Sequence, residues 1–134
     1  MNWWPILIIG AALLLIPRRK PVQLKPGVKI DKLSPVMTPA IVTWERIAAE
    51  HDFPAVITSG TEGTHSEGSF HYPENAPDDR GRALDFRRPD RDQGFNDPER
   101  ARRVAEELAA NLGPEYDVVL EPTHIHVEHD PEVA

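Results

Sequence analysis

The residues able to do chemistry fall in two stretches of this chain. The first runs Ser69-Phe70-His71-Tyr72 and, after a polar insert, Gly81-Arg82-Ala83-Leu84-Asp85-Phe86-Arg87; the second is Glu121-Pro122-Thr123-His124-Ile125-His126-Val127-Glu128. Two imidazoles and a carboxylate drawn from such separated segments can converge on one divalent cation and leave a coordination position open, the donor set of a hydrolytic zinc site. On a strand, residues two apart point to the same face, so His124, His126 and Glu128 share a side, as do Ala83 and Asp85. Such a polar row is costly to bury without partners; a solvated surface strand is the plain alternative. Covalent catalysis has no foothold: cysteine is absent, and no serine sits in a Gly-x-Ser-x-Gly elbow.

The elements that must position these residues follow from spacing. Thr38-Pro39 reads as an N-cap with proline at the first helical position, and Ile41, Val42, Trp44, Ile47 and Ala48 recur at helical spacing, predicting a helix from Pro39 to about Glu50. Ala55 to Thr58 is a short strand that delivers the chain into Ser59-Gly60. Thr61 to Arg80 is rich in glycine, proline and acid, and a loop of that length in so small a domain is usually functional. Arg82 to Arg87 predicts a second strand and Pro89 to Asn96 a loop. Asp97-Pro98-Glu99 opens an amphipathic helix carrying Val104, Leu108 and Leu112, which Gly113-Pro114 stops. Tyr116 to Leu120 and His124 to Glu128 complete four strands. The expected fold is a small α+β domain, an antiparallel sheet with helices packed on one face.

Upstream, Trp3 to Ile16 is apolar without interruption and is followed by Arg18-Arg19-Lys20. A comfortable span needs about 20 apolar residues and a marginal one about 17, so this run is short. It lacks the basic start and the small-residue cleavage site of a signal peptide. The reading is therefore an uncleaved N-terminal membrane helix over residues 1–17, with a helix buried in the domain as the alternative. Its basic flank favours a cytoplasmic domain by the positive-inside tendency; the opposite orientation places the domain on the cell-envelope side. Residues 18–38, rich in proline, read as an extended tether, with a short strand or turn at Val28 to Leu33, and residues 39–134 as the working domain.

The 134 residues suffice for one core, and 40% hydrophobic with 28% charged residues is a globular composition. A net charge of -7 leaves no basic face to displace counterions from phosphates, which argues against a nucleic-acid partner.

Ser-Phe-His-Tyr, Gly-Arg-Ala-Leu-Asp and His-Ile-His-Val-Glu, in that order, resemble the motifs of the M15-type zinc peptidases. That group comprises D-alanyl-D-alanine carboxypeptidases and phage endolysins that cut peptidoglycan peptides, and its wider fold family includes the hedgehog signalling domain. The resemblance covers about Ile57 to Asp130. It implies His71, Asp85 and His126 as zinc ligands, with His65 a rival to His71 that lacks the flanking serine and tyrosine. It further implies Glu121 as general base, His124 as the group stabilising an oxyanion, and Glu128 orienting His126 from behind. Ser69, Tyr72, Arg82 and Arg87 are the implied substrate contacts, with Arg80 a further candidate.

Two departures from the family pattern are visible. Pro73 to Arg80 lengthens the gap between the histidine and the aspartate, so that segment must bulge outward. Where the family often carries an arginine after the Ser-Gly turn to grip a substrate carboxylate, this chain reads Thr61-Glu62-Gly63. That substitution favours an endopeptidase over a carboxypeptidase.

The expected function is thus a monomeric, zinc-dependent peptidase acting on peptidoglycan stem peptides or cross-bridges, held at the membrane by its N-terminal segment. The competing expectations are a zinc-stabilised binding module of the same fold without turnover, and a membrane-anchored structural protein whose histidines bind no metal.

Overall fold

Trp44 and Phe86 set the packing, their rings stacked at 4.8 Å between centroids with planes 15° apart. In this computed structural model the described residues are 19–63, 65, 68–76, 78–90 and 97–132. The sheet has five strands: β1 (Gln23–Leu24), β2 (Val56–Ser59), β3 (Ala83–Arg87), β4 (Tyr116–Leu120) and β5 (His124–His129), in the spatial order β1-β2-β3-β5-β4. Two helices accompany it, α1 (Thr38–Glu50) and α2 (Pro98–Leu112).

Both helices bury one stripe against one sheet face. Trp44 and Ile47 of α1 and Val104 and Leu108 of α2 join Ile57, Leu84, Phe86, Ile125 and Val127 in a single buried cluster. Each such side chain removed from water contributes about 1.5–3 kcal/mol before conformational entropy is charged against it. Strand alternation then sends Asp85 of β3 and His124, His126 and Glu128 of β5 to the opposite face.

The sequence expectation of an α+β domain holds, and the sheet differs from it in one respect. It is mixed: β3, β5, β4 and β2 pair antiparallel, but β1 joins β2 in parallel, with Gln23 opposite Val56 and Leu24 opposite Ile57. The segment expected as a tether therefore lies along the domain. Lys25 N–H donates to Ile57 O at 2.9 Å, Thr61 N–H to Lys29 O at 2.9 Å, and Ser34 N–H to Gly81 O at 2.8 Å. Backbone bonding of this kind needs no hydrophobic pattern, and the two residues of β1 are exposed.

The helix starts are instructive. Asp97 caps α2 as expected, accepting from Arg100 N–H at 3.1 Å, and Gly113 ends it at φ 87°. Thr38, expected as the cap of the first helix, lies inside α1 instead. The chain already turns at the 3-10 segment Pro35–Met37, whose start is capped by Ser34 Oγ accepting from Val36 N–H.

The expected membrane helix of residues 1–17, with the anchoring built on it, lies outside the described residues. Among the described residues no helix is long and apolar enough to cross a membrane.

Candidate metal centre

β3 and β5 pair so that Asp85 stands directly opposite His126, and Arg87 opposite His124. His71 comes from the long loop and is buried at 3% exposure beside this pair. Asp85 Oδ1 lies 3.2 Å from His71 Nε2 and 2.9 Å from His126 Nδ1. One donor atom from each of His71, Asp85 and His126 falls within 4.8 Å of the others, a group able to hold a metal ion. Donors on a tetrahedral ion at about 2.0–2.2 Å sit roughly 3.3–3.6 Å apart, so each imidazole stands within a few tenths of an ångström of the separation from the carboxylate that such an ion sets.

The ring nitrogens are disposed as ligands require. His71 Nδ1 lies 2.7 Å from Gly60 O. A carbonyl only accepts, so Nδ1 carries the proton and Nε2 is the nitrogen aimed at the centre. His126 turns Nδ1 to Asp85 and Nε2 to Glu128 Oε2 at 3.1 Å, so Glu128 orients the ring from behind in the manner common for ligating imidazoles. Gly60 is placed by contact: a Cβ there would stand 2.2 Å from Lys29 O. Only glycine lets the backbone approach closely enough to offer its carbonyl to His71.

Without metal the same atoms form a proton network. Burial works against charge on Asp85, but hydrogen bonds from His126 and His71 outweigh it and hold the carboxyl well below the usual carboxylate range. Burial likewise opposes an imidazolium at His126, yet the Asp85 and Glu128 carboxylates prevail and push it up to about 9. Holding a metal here would require His126 Nδ1 to be unprotonated.

His124 stands at the rim, half-buried, with Nε2 3.5 Å from Asp85 Oδ1 and Nδ1 2.8 Å from Thr123 Oγ1. Glu121 is half-buried on the turn joining β4 and β5, its N–H donating to His124 O at 2.9 Å. Among the described residues its carboxylate has no hydrogen-bond or ion-pair partner.

His65, the rival ligand, is outside the metal-holding group. It stacks on His71 with centroids 4.1 Å apart and planes 2° off parallel, and its Nε2 donates to Glu62 O. Of the four expected substrate contacts, the structure brings Arg87 to the site. Tyr72 OH is engaged with the backbone N–H and carbonyl of His65, and Ser69 Oγ accepts from His71 N–H, so both shape the loop that holds His71. Arg82 sits at the other end of β3, near Asp78 and His129. Glu62, just after the Ser59-Gly60 turn, staples the loop by accepting from the N–H groups of Lys29 and Gly60.

A cleft of about 470 Å³ lined by Lys25, Thr58, Ser59, Asp85, Arg87, Thr123 and His124 reaches the metal group at Asp85. Thr58 and Ser59 both reach it because the register of β2 against β3 slips between Ile57 and Ser59, and a bulge re-aims side chains. Sequence reasoning missed Lys25, Thr58, Ser59 and Thr123 as cleft residues. For Thr123 a signal existed, since a hydroxyl beside His124 is a ready imidazole partner; Lys25 carried none.

Imidazole and carboxylate donors suit zinc and several other divalent ions, so the set fits a metal without naming it. No family model, curated protein or solved structure matches the chain.

Proposed function

We propose that this protein is a zinc-dependent peptidase that hydrolyses amide bonds in peptidoglycan stem peptides or cross-bridges. The observation that carries the reading is the convergence of His71 Nε2, Asp85 Oδ1 and His126 Nδ1, backed by hydrogen-bonded second partners, with Asp85 also lining a cleft. The motif resemblance supplies the substrate class, and the three-residue donor set is the arrangement of catalytic rather than structural zinc.

His71, Asp85 and His126 hold the metal, which when bound acts as a Lewis acid that polarises the scissile carbonyl and brings the pKa of a water to about 7. Glu121 would supply the carboxylate that accepts a proton from the attacking water and returns it to the leaving amine. His124 would present an imidazole N–H to the developing oxyanion, its ring held by the 2.8 Å contact of Nδ1 with Thr123 Oγ1. Glu128 fixes the His126 ring. Lys25 and Arg87 line the cleft as cations in a chain of net charge -7, which favours a substrate segment bearing carboxylates. The apolar run Trp3 to Ile16 holds the enzyme at the membrane next to its polymer.

The test is mass spectrometry of purified peptidoglycan after incubation with the zinc-loaded full chain. New amine and carboxylate termini at one type of bond are expected. An unchanged polymer from folded, zinc-bound protein would sink the peptidase reading and favour a zinc-stabilised binding module.

A further inference from the structure

A buried ion pair lies just beyond the metal group, and none of the chemistry above uses it. Arg88 follows the last residue of β3, the strand that carries Asp85, and is 8% exposed, while Asp90 is 2% exposed. The two meet fork to fork, Arg88 Nε donating to Asp90 Oδ1 at 3.0 Å and Nη2 to Oδ2 at 2.8 Å. The remaining arm, Nη1, donates to Glu121 O at 3.2 Å and Pro122 O at 3.1 Å.

Those two carbonyls belong to the turn between β4 and β5. On its inner side this turn is closed by a backbone bond, Glu121 N–H to His124 O. Its outer edge is exposed at Pro122 and Thr123. The guanidinium thus grips the turn between β4 and β5 and ties it to the end of β3.

Stability alone explains the pair poorly. Desolvating two charges offsets most of their attraction, and well-packed apolar residues often serve as well or better. What the pair supplies is a rigid, planar fork with charge-assisted donors, held in one orientation by Asp90. Lysine would carry the charge but not the geometry.

We propose that Arg88, oriented by Asp90, is a positioning residue that sets the placement of Glu121 and His124 relative to the metal ligands. This rests on the peptidase reading for its catalytic consequence, and on the hydrogen bonds alone for its structural one. Sub-ångström to ångström errors in placing a base or an oxyanion donor suffice to cost orders of magnitude in rate.

The test compares the full chain with Arg88→Lys and with the double variant Arg88→Met/Asp90→Leu, which removes both charges together and protects against a simple failure to fold. Zinc affinity by chelator competition, amide exchange at Glu121 and kcat and KM on a cell-wall peptide are read for each. Expected are zinc affinity within about threefold of the parent, Glu121 amide exchange faster by tenfold or more, and kcat down by tenfold or more with KM within about twofold. Parent-like kcat, or unchanged exchange at Glu121, overturns the proposal. So does a parallel loss of zinc affinity, which would make the pair a general fold support. If the parent chain itself hydrolyses nothing, the peptidase reading fails, and the exchange and affinity measurements still decide whether Arg88 positions the turn.

Discussion

Asp85 and His126 face each other across β3 and β5 with Oδ1 and Nδ1 2.9 Å apart, and His71 Nε2 approaches the same carboxylate oxygen at 3.2 Å. One oxygen is thus the meeting point of two imidazoles from distant segments. Metal bound only by the folded state stabilises it by about 2.7 kcal/mol at a hundredfold excess over Kd, roughly 10–20 °C in Tm for a domain of this size. Differential scanning fluorimetry with zinc against chelator should show that shift in the parent and none in Asp85→Asn.

The proton network predicts a pH signature for the metal-free protein. His126 is raised from 6.5 to about 9, so its contribution is fully present below pH 6.5 and is lost as pH rises through 9. Asp85 is lowered from 3.8, so its contribution is present above about pH 4 and is lost as pH falls further. Zinc needs the deprotonated ring, so its stabilisation grows over the upper window while the apo protein weakens. The gap in Tm between loaded and stripped protein should therefore widen from pH 6 to 9; a constant gap would contradict the His126 assignment.

Gly60→Ala brings a methyl group to 2.2 Å from Lys29 O and forces the backbone to shift where His71 finds its acceptor. Overpacking of this kind costs about 1–3 kcal/mol. Urea unfolding should show that loss in the metal-free protein, together with weakened zinc binding. Equal zinc affinity would show that the Gly60 carbonyl does not orient the ligand.

Glu121→Gln removes the proposed base and leaves every ligand in place. Proton transfer by a positioned group is worth about 10²–10⁴ in rate. Hydrolysis of a cell-wall peptide should fall by that factor with the chelator-competition curve unmoved. Retained turnover would place the base elsewhere.

Lys25→Ala tests the cleft wall supplied by the residue that follows β1. A solvent-exposed charge contributes at most about 1 kcal/mol, so KM for a carboxylate-bearing peptide should rise roughly two- to fivefold with kcat unchanged. Raising the salt concentration should erase the difference between parent and variant; a difference that survives 1 M salt would point to packing rather than charge.

Several of these residues were legible before any fold was known, and others were not. Asp97-Pro98, the Val104/Leu108 stripe and Gly113 announce α2, because capping and the 3.6-residue period are local. The set His71, Asp85 and His126 was legible from residue type and motif order, and Glu128 from its place two residues beyond His126 on one strand face. Tyr72, Ser69 and Arg82 misled, since residue type shows what a side chain can bond and not which of several partners reaches it first. His65 takes up the Tyr72 hydroxyl, and His71 N–H the Ser69 hydroxyl.

The sequence by itself determined the α+β class, the alternation that sends imidazoles and core residues to opposite faces, and the chemical types available at the centre. These depend on periodicities of two and 3.6 residues that any short segment carries within itself. Only the tertiary structure decided that Gln23–Leu24 adds a parallel strand, that a bulge turns both Thr58 and Ser59 to the cleft, and that Arg88 clasps the turn holding Glu121. Each of these is a bond between segments far apart in the chain, made largely to backbone groups that every residue shares. Their partners are selected by how the core packs, and no local pattern encodes that choice.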